Sequence, residues 1–121
     1  IAIERNKTTK ENLGFFEKVI NIINNTKRPL LIFPQGTRTP PNIKIPFKKG
    51  VGTIYEQLNI KCLPIALNSG NVWPKNNLIK SNGKIIISIL KAIDPGMDKE
   101  HFLKGLEQKI YNEIDRIENI K

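Results

Sequence analysis

"LIFPQGTRTP", residues 31–40, joins an apolar run to a stiff polar turn, and its reading decides the fold. Residues 30–33 form a short continuous apolar stretch, the pattern of a strand covered on both faces. Pro34 ends it, Gly36, Thr37 and Arg38 follow, and Pro40 and Pro41 come next. Residues 34–46 hold four prolines and little apolar periodicity, so they read as loop. A buried strand that gives way to such a loop belongs to an open α/β sheet, where ligands sit at the carboxyl ends of strands.

Working outward, Thr8 and Glu11 have the spacing of a capping box. Leu13, Phe16, Ile20 and Ile23 then recur at steps of three and four, predicting a helix that ends at Asn24 and Asn25. Ile1 to Glu4 reads as the end of a strand before it. Beyond the loop, a helix is predicted over about 50–58, a strand over 62–67 broken at Asn68 to Gly70, and a polar excursion around Trp73 and Pro74. A turn at Asn82-Gly83 precedes an isoleucine-rich strand over 84–90. Asp94-Pro95-Gly96 is a turn, and Asp98 caps a long helix whose inner face carries Leu103, Leu106, Ile110, Ile114 and Ile117. Strands separated by helices predict an α/β fold with a mostly parallel sheet flanked by helices.

The 121 residues suit one domain, and a hydrophobic content of 39% suits a folded one. The chain starts at Ile1, already strand-like, which leads to the expectation that sequence precedes it and that its N-terminal part is missing. The formal charge of +9 points to an anionic partner, although abundant Ile, Asn and Lys together also fit an A/T-rich coding sequence. The arginines Arg5, Arg28, Arg38 and Arg116 are less easily put down to composition. A single cysteine, Cys62, excludes an internal disulfide and reads as a strand residue.

In the loop, Gly36 permits a positive φ or close approach of a ligand to the backbone. Thr37 offers a hydroxyl, and Arg38 a planar fork that grips two phosphate oxygens. On these residues alone, a proline-stiffened turn whose arginine points into water is slightly the better account.

A resemblance shifts that balance. Phe33-Pro34-Gln35-Gly36-Thr37-Arg38-Thr39 resembles the "FPEGTRS" block of the glycerolipid acyltransferases, the lysophosphatidate acyltransferase family. Ile3-Glu4-Arg5 resembles the family's upstream block, Phe47-Lys48-Lys49-Gly50 its "F-K-K-G", and Leu63-Pro64-Ile65-Ala66 its later "V-P-V/I" strand, continued by Asn68-Ser69-Gly70 and Trp73. The blocks run in the family's order over residues 1–75. The resemblance implies a glycerol-3-phosphate acyltransferase-like fold, with residues 1–121 as the C-terminal part of one acyltransferase domain. It implies that Arg5 and Arg38 hold the acceptor's phosphate with Gly36 and Thr37, aided by Lys48 or Lys49; we assign Lys49. Gln35 stands where the family usually has glutamate and is expected to orient the loop.

The family's chemistry lies in a His-x4-Asp block upstream of these, with histidine as general base. His101, the sole histidine, is followed at the fifth position by Leu106 and reads as a surface residue, so no catalytic residue is expected in this chain. The implied reaction moves a fatty acyl group from acyl-CoA or acyl-carrier protein to 1-acylglycerol-3-phosphate, giving phosphatidate in phospholipid synthesis. The expected setting is a membrane surface, the cytoplasmic face of the bacterial inner membrane. No metal or organic cofactor is expected: there is no Cys/His cluster, and Gly50 and Gly52 do not fit a nucleotide phosphate loop. The alternative is a non-catalytic anionic-lipid or nucleic-acid binding module. Against nucleic acid, Tyr55, Trp73 and Tyr111 form no stacking stripe.

Overall fold

The computed structural model describes residues 9–74 and 82–120, and the chain divides into two compact units, Ile1–Ile32 and Phe33–Lys121. The predicted strand at Ile1 to Glu4, the Thr8 cap and the side chain of Leu13 lie outside the described residues.

The first unit contains α1, Thr9–Thr26. It runs one residue past the predicted stop at Asn24 and Asn25 and ends where Lys27 takes a left-handed φ of 55° and donates its amide to the Ile23 carbonyl. Residues 30–32 close this unit. The predicted strand over 30–33 makes no ladder among the described residues, and Leu31 and Phe33 are exposed. A strand exists through its hydrogen-bonded neighbour, which an apolar run does not specify.

The second unit holds α2 (Lys49–Leu58), β1 (Ile65–Leu67), the short α3 (Ser69–Val72), β2 (Ile87–Ile89) and α4 (Lys99–Glu118). The expectation of a mostly parallel sheet is not confirmed here: among the described residues β1 and β2 pair antiparallel, with Ile65 opposite Ile89, Ala66 opposite Ser88 and Leu67 opposite Ile87. An antiparallel bridge between Cys62 and Ile93 extends the pairing. A parallel neighbour needs a crossover, usually a helix of several turns, and the described chain between these strands offers only the four residues of α3. Both strands are also shorter than predicted, because Pro64 cannot donate to a ladder and Asn68 takes over the next position with its side chain. The buried amide of Asn68 donates to the Lys84 carbonyl (3.1 Å) and accepts from the Ile86 amide (2.7 Å), so a side chain continues the sheet where the strand has stopped.

One face of the pair is inward. Ala66 is fully buried, and Ser88 donates to Glu113 of α4 at 2.6 Å. α4 forms as predicted: the Asp98 carboxylate accepts from the amides of Glu100 and His101, satisfying two orphan donors. Its buried stripe is Phe102, Leu106, Ile110, Tyr111 and Ile117, with Leu103 and Ile114 partly buried. The predicted face is therefore correct in direction, but the two aromatics were missed. Phe102 stacks on Tyr55 of α2 with ring centroids 3.6 Å apart, and Phe47 lies against Tyr111 at 5.3 Å. Helix α2 crosses close to the start of α4 because Gly52 has no side chain; a Cβ there would stand 3.1 Å from the Lys99 carbonyl oxygen. The Tyr55 hydroxyl donates to the Asp94 carbonyl and accepts from the Met97 amide, fixing the turn that launches α4.

Phe102→Ala removes an almost fully buried ring and the stacking partner of Tyr55, and is expected to cost about 3–5 kcal/mol of unfolding free energy in a denaturant titration. A second prediction concerns pH. Paired with Arg116 and bonded by Ser88, the Glu113 carboxyl is lowered to about 2. A depressed folded value means that its contribution is complete above the ordinary glutamate range and is lost as pH falls through that range toward 2. The stability gap between the native chain and Glu113→Gln should accordingly be full near neutrality and shrink progressively in acid.

Candidate functional site

The loop after Phe33 is built as a closed ring of chain. Phe33 accepts from the Gly36 amide at 3.0 Å, a four-residue turn with proline second and glycine fourth, the residue preferences of a type I turn. Gly36 then takes φ +70°, a conformation that side chains with a Cβ adopt at a cost. At the far end the Lys48 amide donates to the Pro34 carbonyl at 2.8 Å, so residues 34 and 48 are held together and the intervening chain is a loop of fixed mouth.

That closure lays the aliphatic stem of Lys48 across Gly36: a Cβ on Gly36 would lie 3.1 Å from the Lys48 Cγ and 3.2 Å from its Cε. The Lys48 ammonium thus belongs to the loop's surface. Lys49, assigned from the sequence, is the first residue of α2 and is exposed. The helix it begins has no side-chain cap and no acid in its first turn, which leaves its amide end uncompensated. Thr37 and Arg38 are exposed, and Arg38 makes no ion pair among the described residues. Residues 33–50 contain Arg38, Lys44, Lys48 and Lys49 and no acid. Of these, Lys44 is engaged, bonded to Asp115 of α4 at 2.6 Å. Arg5, expected to converge with Arg38, lies outside the described residues.

The underside of the loop is held by α4. The Gln35 side-chain amide donates to the Tyr111 hydroxyl at 3.0 Å and to the Thr39 hydroxyl at 3.2 Å. The Tyr111 hydroxyl donates to the Ile45 carbonyl (2.6 Å) and accepts from the Ile45 amide (3.1 Å). Glu107 accepts from the Phe47 amide at 2.8 Å. Gln35 therefore bridges the loop to α4, through residues that its sequence neighbourhood does not connect with it. Read along the sequence, Tyr111 offers only a ring for stacking. Its one available signal was that it lies four residues from both Glu107 and Asp115, a polar stripe beside an otherwise apolar helix face.

His101 is exposed at the start of α4, and its ring hydrogen-bonds Asp98, the residue that caps the same helix. This is a local capping arrangement, in agreement with the surface role expected from the sequence. Among the described residues no group of His, Cys, Asp and Glu is placed to hold a metal ion.

Compared with known proteins, residues 1–68 match the family described as Acyltransferase. Similar curated proteins are the 1-acyl-sn-glycerol-3-phosphate acyltransferases of Pseudomonas aeruginosa and Escherichia coli. The first is 37% identical over 71 residues, covering 59% of this chain and 26% of the relative. The second is 29% identical over 125 residues, covering 96% of this chain and 49% of the relative. The chain thus spans between a quarter and a half of the length of these relatives. Among solved structures, the 1-acyl-sn-glycerophosphate (LPA) acyltransferase PlsC from Thermotoga maritima superposes with a TM-score of 0.77 at 23% identity, over 85% of this chain and 44% of that one. That likeness shows a shared fold.

Gly36→Ala tests the loop geometry. It imposes a side chain at φ +70° and crowds the Lys48 stem, so a loss of about 1–3 kcal/mol is expected in thermal or denaturant unfolding. Adding Lys48→Ala should relieve the crowding and leave the backbone cost.

Proposed function

Because the chain belongs to the acyltransferase family, we propose that it forms the acceptor-binding part of an enzyme that acylates 1-acylglycerol-3-phosphate. The fatty acyl group would come from a thioester, acyl-CoA or acyl-carrier protein, and the product would be phosphatidate for phospholipid synthesis. The observation that carries the reading is the acid-free loop over residues 33–50, whose Arg38 is exposed and unpaired among the described residues and whose Lys48 stem crosses Gly36.

A phosphomonoester suits this surface. The Arg38 guanidinium presents two parallel N–H groups to two oxygens, and Gly36 leaves the backbone open to approach. Thr37 adds a hydroxyl, and Lys48 with Lys49 adds charge where the uncapped amides of α2 begin. Arg5 is the proposed second guanidinium. Each charge-assisted contact is worth about 1.5–3 kcal/mol. Gripping the head of the acceptor leaves its free hydroxyl to attack the thioester carbonyl, with the thiol leaving and the hydroxyl proton passing to a base. We do not assign that role to His101, which lies exposed at the start of α4 and lacks the family's spacing to an aspartate. The histidine of the family's His-x4-Asp block is the proposed one.

The acceptor is an amphiphile, so the reaction is placed at a membrane surface, and a charge of +9 favours an anionic one, such as the cytoplasmic face of a bacterial inner membrane. Among the described residues no helix is long and apolar enough to cross a membrane. No metal or organic cofactor takes part in the proposed chemistry.

Vesicles doped with lysophosphatidate should bind the chain, and Arg38→Ala should weaken that binding about 10- to 100-fold while binding to lysophosphatidylcholine vesicles stays unchanged. Tighter binding to a generic oligonucleotide than to these vesicles, equally sensitive to Arg38→Ala, would favour the nucleic-acid reading instead. The 121-residue chain by itself should form no phosphatidate from acyl-CoA and lysophosphatidate.

A further inference from the structure

The hydroxyl of Tyr111 has one hydrogen and two lone pairs, and all three are used. Its hydrogen goes to the Ile45 carbonyl, and its lone pairs take the Ile45 amide and the Gln35 side-chain amide. The hydroxyl hydrogen cannot serve Ile45 and residue 35 together. Whatever stands at position 35 must therefore bring its own proton, which a glutamine amide does and an ionised carboxylate does not. The second hydrogen of the Gln35 amide is also placed, on the Thr39 hydroxyl.

The surroundings reinforce the constraint. Tyr111 is buried, its ring held by Phe47 and lying below Lys44, so the hydroxyl sits at a fixed point. Glu107 and Asp115, one turn to either side on α4, hold the Phe47 amide and Lys44. A single stripe of α4 thus grips the loop at four successive places: residues 35, 44, 45 and 47. We propose that Tyr111 is the positioning residue for the loop carrying Arg38, and that it dictates an amide rather than a carboxylate at position 35. The role in positioning a phosphate ligand rests on the function proposed above; the pairing of positions 35 and 111 does not.

The test compares the native full chain with Gln35→Glu, Tyr111→Phe and the double variant. Unfolding equilibria are measured from pH 7 down to pH 4, together with amide exchange at Ile45 and binding to lysophosphatidate vesicles. With Tyr111 present, Gln35→Glu should shift the unfolding equilibrium by roughly five-fold at pH 7; in the Tyr111→Phe background its effect should fall below about two-fold. A protonated carboxyl regains a donor, so folding raises the new group's pKa. The defect is therefore present above that raised value and disappears as pH falls through it. Tyr111→Phe should accelerate exchange at Ile45 and leave the amides at the centre of α4 protected.

Equal effects of Gln35→Glu in both backgrounds, or a defect that persists unchanged in acid, overturn the inference. Coupling between 35 and 111 without vesicle binding by the native chain upholds the pairing and counts against the proposed function. Vesicle binding that weakens with Arg38→Ala but shows no such coupling upholds the function and sinks the pairing.

Discussion

A phenol buried on one side and hydrogen-bonded on the other joins the two halves of this molecule's logic. The ring of Tyr111 belongs to the core that α4 shares with Phe47, and its hydroxyl belongs to the loop. Burying that ring is favourable only if the hydroxyl finds partners, since an unsatisfied polar group in such a place costs as much as the burial gains. The loop backbone at Ile45 provides them. Core formation and loop shape are therefore one event: the helix cannot seat its aromatic face without also drawing residues 35–47 into position.

The same device occurs twice. Tyr55 stacks on Phe102 and uses its hydroxyl to hold the turn from Asp94 to Met97, as Tyr111 uses its own to hold the loop before α2. Each aromatic thus anchors an irregular segment to a helix, which is how a small unit whose described residues form a two-stranded sheet keeps its long connections in place. The backbone bearing Arg38 and Lys48 thus stands on a rigid support, so ordering that segment adds no cost to the ligand binding proposed for it.

What the sequence made readable follows from which forces are local. Asp98 and the spacing of Leu106, Ile110 and Ile117 announced α4, because capping and amphipathic periodicity act within a few residues. Likewise Gly36 after Pro34 marked a turn, and the ordered blocks around it marked the family. Strand direction is not legible because pairing is decided by a partner distant in sequence: the apolar run over residues 62–67 does not say that Ile93 and Ile89 will come back antiparallel. Tyr111 escaped notice for the same reason. Its distance of 76 residues from Gln35 puts their hydrogen bond beyond any pattern read along the chain.

Asn68 has a consequence of another kind. Its carboxamide copies the donor and acceptor of a peptide unit and so splices the returning strand at Ile86 onto the outgoing one. With the Asn68 backbone amide also donating to the Ile86 carbonyl, backbone and side chain together fix the alignment of the two strands where the excursion leaves and returns. That stretch is free to lengthen or shorten over evolutionary time at little thermodynamic penalty, since loop closure entropy grows only slowly with length.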